Sequence, residues 1–424
     1  MSSPPPSPPL FRQRNFAALW WGQLVSLLGE RVTYIALVGL LSQHTHGFRD
    51  PGSSWLLSVL ANVMLAPVLL FAPFAGTWVD RWNLKRVVVV SDLLRAGLVV
   101  LIPVSYLVSG QVFPMFVLLF LLFTSGVFFL PAKSAITPEI VPSSQLLAAN
   151  TWLSTAGIAA AAVGSLAGGW MIDRWGWTWA FYLNGATYLV SVVALWSIRY
   201  PARPRAARLV APTLSGYLQE VRKGWKAVRA SAPVGLALTT LGAVWLGGGF
   251  LHVAGNLHIQ RVASAPGMGR LGVLLAVMGI GSASSAGWLN TRGRNLSRPR
   301  VLACTLLLAG AGLLMFALST RFVMLAIAAF LIGLAAAPAL MVTETLLQEA
   351  TAPGLRGRVF SARDFLMRSV LLVGVGLAGG ITRALGAQPA LLLCAALVSG
   401  FGVFVWARRL PEPAGVTRVE RTPR

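Results

Sequence analysis

The stretch that decides the fold lies at residues 76–86 and reads GTWVDRWNLKR. It is a short charged segment between two apolar runs, each long enough to cross a lipid bilayer. Gly76 lies one helical turn before Asp80, and its lack of a side chain would let another helix approach closely. Basic residues surround and follow this acid, and they are expected to stay in the cytoplasm and orient both spans. They are Arg81, Lys85 and Arg86.

The composition is that of an integral membrane protein. Of the 424 residues, 56% are hydrophobic and only 11% are charged, whereas a soluble domain has roughly 25% charged residues. One span takes about 20 apolar residues. Apolar runs and helix breakers predict twelve helices, at residues 16–41, 54–79, 86–108, 112–130, 150–172, 178–198, 233–257, 271–290, 299–319, 322–346, 359–382 and 388–407.

These segments predict an all-α membrane fold with two six-helix halves, at residues 16–198 and 233–407. Residues 1–15 and 408–424 are expected to be cytosolic tails. The basic linker at residues 199–232 contains apolar residues at helical spacing opposite arginines and lysines. It is expected to form an amphipathic helix on the anionic inner leaflet or to serve as a plain tether between the halves.

The distribution of basic residues predicts the topology. The chain has 35 lysines and arginines, and most of them lie in loops on the side of the N-terminus. Six lie in the opposite loops, namely Arg49, Arg174, Arg261, Arg270, Arg321 and Arg383. This bias places both termini in the cytoplasm and predicts a multi-pass protein of a bacterial-type inner membrane. Because topology explains the net charge of +23, nucleic acid is not an expected partner.

The two halves share sequence features. Gly287 to Arg292 repeats the opening stretch after the eighth predicted helix, with Thr291 at the position of Asp80. Glu139 is followed by Pro142 after the fourth predicted helix, and Glu349 is followed by Pro353 at the corresponding place after the tenth. Such a repeat is typical of transporters that bind their substrate where the two halves meet.

These motifs together resemble the major facilitator superfamily of secondary transporters, and in particular the subgroup with enterobactin and macrolide exporters. The similarity is carried by Gly29-Glu30-Arg31, residues 76–86, Asp92 to Arg95, the segment from Pro131 to Glu139, and residues 168–177, GGWMIDRWGW. It runs through the chain in order. The resemblance implies the twelve-helix facilitator fold and export of small molecules by alternating access.

Small residues in the fifth helix permit two interpretations. They are similar to the glycine-rich antiporter motif of facilitator drug exporters, but Ser165 stands where a proline usually follows the middle glycine. Alternatively, they serve only to let helices pack closely in lipid. The residues are Gly157, Gly164, Ser165, Gly168 and Gly169. The fourth helix lacks the arginine found in many proton-coupled drug exporters, so proton coupling has to come from other residues.

Glu30 is the candidate for proton coupling. It lies roughly 24 Å along its helix from Arg14, past the midplane, and an ionisable group inside a span is a functional candidate by default. A carboxylate there could take up and release a proton as the cavity alternates between sides. The alternative pairs Glu30 with a basic residue of another helix as a fixed gate. Asp92 and Arg95, three residues apart, are expected to form a structural or gating ion pair.

Other polar residues within the predicted spans are candidates for the substrate cavity. They are Gln23, Arg31, Asn62, Asn150, Asn184, His252, Asn256, Glu344 and Arg368. Arg368 has no partner in its own helix and could face an anionic substrate or a carboxylate. His252 and Asn256 share one helix face, where simple hydrogen bonding at the cavity wall is the alternative to a functional role.

Charges at the cytoplasmic ends are candidates for a gate. Asp80 is expected to lie beside Arg363 and the backbone N–H groups that begin the eleventh helix, where a carboxylate is stabilised by the arginine and by the helix dipole. We therefore predict that Asp80 closes the cytoplasmic side in the outward-facing state. Glu139 is expected to hold Arg81 or Arg86 beside it.

The sequence predicts a transporter and not an enzyme. It contains no Gly-Lys dipeptide and therefore no Walker A loop, and it has neither H-E-x-x-H nor G-x-S-x-G. Cys304 and Cys394 fall inside apolar runs, so no disulfide, metal or cofactor is expected. We expect a monomeric proton antiporter that exports small amphipathic compounds of drug or siderophore type. A uniporter, importer or lysolipid flippase of the same fold, or a membrane sensor or scaffold, are the alternatives.

Overall fold

A computed structural model describes residues 8–50, 52–79, 81–199, 219, 222, 231–262, 267–292, 297–349, 351 and 356–407. Within these ranges twelve helices are long and apolar enough to cross a membrane, and no strand occurs. The first six are α1 (Arg14–His44), α2 (Ser53–Val79), α3 (Leu84–Ser109), α4 (Phe113–Ile140), α5 (Leu146–Trp175) and α6 (Trp177–Trp196). The second six are α7 (Ala232–Val262, with a π-helical turn at Leu251–Gly255), α8 (Met268–Arg292), α9 (Arg298–Leu318), α10 (Phe322–Glu349), α11 (Arg356–Leu385) and α12 (Ala387–Ala407). The predicted all-α membrane fold is confirmed.

Two matching junctions show the repeat in the backbone. Gly176 alone separates α5 from α6, and Gly386 alone separates α11 from α12, with φ values of 86° and 95°. Glycine adopts this conformation without the clash that a Cβ would cause. The two glycines are separated by the same number of residues as Glu139 and Glu349. The sharp turns after the fifth and eleventh helices are therefore equivalent features of the two halves.

Each half forms its own bundle, and the halves meet through two helix pairs. In the first half α1 packs against α5 and α6, and α3 packs against α4 and α6. In the second half α9 packs against α10 and α12, and α8 packs against α10. The contacts between halves are made mainly by α5 with α8 and by α2 with α11.

Helix α4 is longer than its sequence predicts. It continues to Ile140 through Pro131 and Pro138, although the first of these prolines was expected to end it. Proline is tolerated inside membrane helices because neighbouring groups satisfy the backbone that it leaves unpaired. Lys133 and Glu139 therefore lie on a helix and not in a loop. The predicted amphipathic helix of the linker lies outside the described residues, apart from Gln219 and Arg222.

The charge pattern defines an inner and an outer end of the bundle. We call the end where α1 begins and α6 ends the inner end, after the prediction that its basic loops face the cytoplasm. The polar contacts between halves made by the described residues lie near the middle of the bundle or at its outer end. There the Ser58 hydroxyl donates to the carbonyl of Val375 at 3.1 Å, and Tyr34 contacts His252 at 3.0 Å.

Candidate functional site

A cavity of about 560 Å³ lies inside the first half and reaches α11 of the second. More than half of its wall is apolar, with side chains such as Leu27, Met64, Leu122 and Phe123. The polar residues on the wall are Gln23, Glu30, Thr33, Tyr34, Arg95, Lys133, Ser134, Asn184, Tyr188 and Arg368. This volume and this mixture of apolar surface with a few polar groups are typical of sites for drug-sized molecules.

Arg95 is the centre of an ionic network between helices α1, α3 and α6. Its Nη1 donates to Oε1 of Glu30 at 2.9 Å, and its Nη2 donates to Oδ1 of Asp92 on the next turn of α3. The Ser191 hydroxyl of α6 donates to the other oxygen of Asp92 at 2.6 Å. Asp92 is fully buried and Arg95 is 5% exposed, so each charge depends on the other for compensation.

Aromatic rings enclose the guanidinium group of Arg95. It lies 4.3 Å from the ring centroid of Phe129 on α4 and 4.8 Å from that of Tyr188 on α6. A guanidinium over an aromatic face gains a favourable electrostatic interaction that burial strengthens. The Tyr188 hydroxyl also donates to Oε1 of Glu30 at 3.3 Å. Arg95 is therefore held in place from four helices.

A glycine brings α1 close enough for Glu30 to reach this network. A Cβ at Gly29 would lie 2.2 Å from the side-chain oxygens of both Asn184 and Thr187, so only glycine permits this approach of α1 to α6. Asn184 itself donates to the Thr33 hydroxyl of α1 at 2.7 Å. The Gly29-Glu30 pair thus combines close helix packing with a carboxylate directed at Arg95.

The two carboxylates of the network differ in their access to the cavity. Asp92 is enclosed by Arg95 and Ser191, whereas the side chain of Glu30 is 37% exposed and lines the cavity. Both hydrogen bonds to Glu30 go to Oε1, and no donor among the described residues reaches Oε2. Glu30 therefore has the geometry to exchange a proton with the cavity. The geometry also fits the fixed-gate alternative, because Arg95 is the basic partner from another helix that this alternative requires.

The candidate cavity residues separate into three groups. Gln23, Asn184 and Arg368 line the 560 Å³ cavity. Glu344 lines a second cavity of about 370 Å³, which Arg368 also borders. The others line neither cavity: Arg31 and Asn150 are exposed, Asn62 has a buried Oδ1 without a hydrogen-bond partner, and His252 and Asn256 lie at the boundary between the halves.

The His252 cluster joins the halves and does not face the cavity. His252 follows the start of the π-helical turn in α7, and its Nδ1 lies 3.0 Å from the Tyr34 hydroxyl of α1. The side-chain amide of Asn256 donates to the backbone carbonyl of His252 at 2.6 Å. The geometry fits the interpretation of His252 as a simply hydrogen-bonded histidine. Its hydrogen bond, however, joins the two halves, and His252 does not line the cavity wall.

The small residues of α5 contact two different helices. A Cβ at Gly164 or Gly168 would lie 2.9 Å from Arg31 or Val32 of α1. On the side of the second half, a Cβ at Gly169 would lie 2.6 Å from the carbonyl oxygen of Met268. The carbonyl oxygen of Ser165 lies against α8, where a Cβ at Gly272 would approach it to 2.3 Å, whereas a Cβ at Gly157 would meet nothing within 4 Å.

An acid at the outer end of α5 binds the first residues of α8. The carboxylate of Asp173 accepts the backbone N–H of Met268 at 2.6 Å and that of Gly269 at 2.8 Å. Helix N-termini leave such N–H groups unpaired and carry partial positive charge. Asp173 therefore caps a helix of the other half and ties the outer ends together.

At the inner end, two arginines of the second half pair with acids of the same half. Arg363 forms ion pairs with Glu344 and with Asp364, and Arg298 donates to Glu349 at 2.7 Å. Asp80 lies outside the described residues, so its pairing with Arg363 remains a prediction. Of the opening stretch, Lys85 lies 5.5 Å from the ring centroid of Trp196, while Arg81 and Arg86 are exposed.

Several residues of the site, among them Lys133, Asp173, Tyr188 and Ser191, were not predicted from the sequence. Lys133 was assigned to a loop because Pro131 precedes it, and Asp173 belongs to the quoted GGWMIDRWGW segment without having been given a role. The aromatic ring of Tyr188 and the hydroxyl of Ser191 carry no signal in a single sequence. Their spacing of three residues on α6 is compatible with a shared face, but it does not identify the helix that they contact.

Comparison with known proteins agrees with this architecture. The family model described as Major Facilitator Superfamily matches residues 19–296. The chain is 26% identical over 363 residues to BacE of Bacillus subtilis (strain 168), a protein named for bacilysin export, with 85% of this chain and 86% of that protein covered. It is 23% identical to macrolide efflux protein A of Streptococcus pyogenes, with 91% and 93% covered.

Among solved structures, a POT family transporter in complex with 5-aminolevulinic acid superposes with a TM-score of 0.67. The sequence identity is 11%, and the alignment covers 93% of this chain and 96% of that chain. At this identity the likeness concerns the fold alone. The twelve helices, the repeat and the family match together establish a multi-pass membrane transporter and not an enzyme, and the chain belongs to the Major Facilitator Superfamily.

Proposed function

We propose that this protein exports small amphipathic organic compounds by alternating access, in exchange for protons that bind to Glu30. The observation that carries the proposal is the position of Glu30, which faces the substrate cavity with one oxygen and binds Arg95 with the other. The names of two relatives, which refer to bacilysin export and macrolide efflux, support export as the direction of transport.

Glu30 can couple the two movements because a proton and a substrate would compete for its free oxygen. When Glu30 is ionised it holds Arg95, and a positively charged or hydrogen-bond-donating substrate can bind to Oε2. Protonation removes the negative charge, weakens the bond to Arg95 and favours release of the substrate. Arg95 remains neutralised by Asp92, which is fully buried and accepts a hydrogen bond from Ser191.

Alternating access would need one closure at each end of the bundle. The described contacts between halves near the outer end, including the cap that Asp173 provides for α8, support an inward-facing conformation. In the outward-facing conformation, Asp80 would close the inner end against Arg363. Arg363 would then exchange its present partners, Glu344 and Asp364, for Asp80.

The proton gradient is large enough to drive such export. One proton moving down 100 mV supplies about 2.3 kcal/mol, which supports a substrate gradient of roughly fifty-fold. The Walker A motif, which ATP hydrolysis would use, does not occur in the sequence.

The test is export by Glu30→Gln in proteoliposomes with an imposed pH gradient. Glutamine keeps the shape and the acceptor for Arg95 but cannot be protonated, so we expect transport down a substrate gradient to persist and uphill export to be lost. Asp50→Asn, which removes an exposed acid of the outer loop, is the matched control. Uphill export by Glu30→Gln at the parental rate would exclude Glu30 as the coupling acid.

Uniport is the second candidate, because the Glu30–Arg95 ion pair also fits a fixed structural contact that never takes up a proton. In that case export would ignore the pH gradient in both the parent and the Glu30→Gln variant. The same assay distinguishes an importer by the direction of flux and a lysolipid flippase by the substrate that moves. A sensor or scaffold would give no flux with any compound.

A further inference from the structure

The cavity wall carries two basic side chains that form no salt bridge with a described carboxylate. Lys133 of α4 and Arg368 of α11 both line it, and neither forms a salt bridge in the part of the chain that the structure describes. Among the described residues, Arg368 donates only to the backbone carbonyl of Val68, at 3.3 Å. Lys133 is near enough to Glu30 and Arg95 to be influenced by their charges. An uncompensated charge within a span is costly, so these two cations suit an anionic group of a ligand.

The same cavity also offers acceptors without donors. Oε2 of Glu30 receives no hydrogen bond from the described residues. Gln23 lies about two helical turns before Glu30 on the same face of α1. It is 4% exposed and has an Oε1 with no hydrogen-bond partner among the described residues. A buried acceptor without a donor is unfavourable. An N–H donor on a ligand would remove that penalty at Gln23 and would also pair with the cavity-exposed Oε2 of Glu30.

We propose that the cavity binds amphipathic zwitterions. The anionic group binds to Lys133 and Arg368, the ammonium group binds to Glu30 and Gln23, and the apolar body lies along the wall formed by residues such as Phe123. This inference rests on the proposed function and adds the substrate class to it.

The charge balance and proton antiport together favour a zwitterion over a simple cation or anion. With both acids ionised, Arg95, Lys133 and Arg368 exceed Glu30 and Asp92 by one positive charge. A simple anion would bind more tightly when Glu30 is protonated, which would favour movement of proton and substrate together. An ammonium group instead competes with the proton for Glu30, as antiport requires, while the anionic group satisfies the two free cations. Small peptide-like molecules and lysophospholipids with an ethanolamine head both carry this pair of charges.

The proposal is tested by equilibrium binding to the full chain in nanodiscs, without any gradient. Tritiated leucyl-phenylalanine is the probe, and its C-terminal amide and its N-acetyl derivative are the competitors. Each derivative removes one charge, and a hydrogen bond to a charged group contributes about 1.5–3 kcal/mol. We therefore expect each to bind about 10- to 100-fold more weakly than the dipeptide. Lysophosphatidylethanolamine and lysophosphatidylglycerol, added as further competitors, form the lipid arm.

Variants then assign each charge to its residue. Lys133→Gln and Arg368→Gln are expected to bind the dipeptide about tenfold more weakly and to lose the discrimination against the amide. Glu30→Gln should lose the discrimination against the N-acetyl derivative. Lys85→Gln and Arg270→Gln, which remove cations that contact Trp196 and Phe322 outside the cavity, should bind like the parent. Lys133→Arg keeps the charge and should retain the discrimination, which separates this role from a structural one.

Several outcomes would overturn the substrate class. These are derivatives that bind as tightly as the dipeptide, discrimination that survives in all three cavity variants, or no binding of either leucyl-phenylalanine or lysophosphatidylethanolamine. Competition by lysophosphatidylethanolamine alone, lost in the same variants, would identify the lipid as the source of the zwitterion. If binding depends on both charges but export does not depend on the proton gradient, antiport is refuted and the substrate class stands. If export depends on Glu30 but only compounds other than zwitterions are exported, the substrate class is refuted and antiport stands.

Discussion

Removal of the Asp173 carboxylate is expected to release the outer ends of the two halves. Asp173 accepts two backbone N–H groups at the start of α8, and this contact exists only while the outer ends are together. Loss of a helix cap costs about 0.5–2 kcal/mol, and loss of a negative charge at a helix N-terminus costs about 0.3–1 kcal/mol. Because Asp173 is exposed, the charge contribution belongs to the lower part of this range.

These magnitudes predict a graded change in the conformational equilibrium. Asp173→Ala loses both bonds, so we expect about 1–2 kcal/mol, a factor of 5–30 in favour of the outward-facing state. Asp173→Asn keeps one acceptor oxygen and loses the charge together with one of the two hydrogen bonds, so we expect about two- to fivefold. Double electron–electron resonance measures the populations, with spin labels at Trp179 and Leu385 for the outer end.

The labelled variants need a background in which Cys304 and Cys394 are replaced, because both are free thiols. A second pair of labels at Trp82 and Arg300 reports the inner end, where we expect the opposite change of distance. Asp50→Asn is the matched control, since it removes an exposed acid from the same end of the molecule. Distance distributions for Asp173→Ala that match the parent at both ends would refute the role of this cap in closing the outer side.

Three further predictions use related measurements. Gly272→Ala places a Cβ 2.3 Å from the Ser165 carbonyl oxygen, so it should also favour the outward-facing state, whereas Gly97→Ala, whose Cβ meets nothing within 4 Å, should leave the distances unchanged. Arg95→Met leaves the buried Asp92 without its partner and should destabilise the protein by about 3–5 kcal/mol. Differential scanning fluorimetry should show a lower melting temperature, which the second substitution Asp92→Asn should partly restore. An unchanged melting temperature in Arg95→Met would contradict the ionic network. Asp80→Asn should shift the inner-end labels towards the inward-facing state, with Thr291→Ala as the matched control at the repeated position; equal behaviour of the two variants would argue against a gate at Asp80.

The architecture was predictable because it depends on local properties of the chain. Hydropathy over about 20 residues identifies a span, and the side on which basic residues lie predicts its orientation. The predicted end of α4 at residue 130 was wrong, because the helix continues through Pro131. In a membrane protein, neighbouring helices can form hydrogen bonds with the backbone groups that a proline leaves unpaired. That error concealed Lys133, which the structure places on the wall of the cavity.

The site was less predictable because its contacts join residues that are far apart in the sequence. Glu30 was identified as costly in a span, but its partner Arg95 depends on how α1 and α3 are rotated around α6. Arg31 is adjacent to Glu30 but lies beside Gly164 of α5 and does not line the larger cavity, since neighbouring residues on a helix point in different directions. Only three of the nine candidate cavity residues, Gln23, Asn184 and Arg368, line the larger cavity.

The sequence by itself determined the membrane class, the twelve helices, the duplicated halves and the family, because hydrophobic length, charge and motif spacing are properties of the chain. The tertiary structure decided which charges neutralise each other, which cations remain free in the cavity and which acid ties the halves together. Asp173 illustrates the difference: its position in a motif was visible, but its partner is the backbone of α8, and backbone N–H groups have no signature in a sequence. Their availability depends only on where one helix begins and which neighbour approaches it.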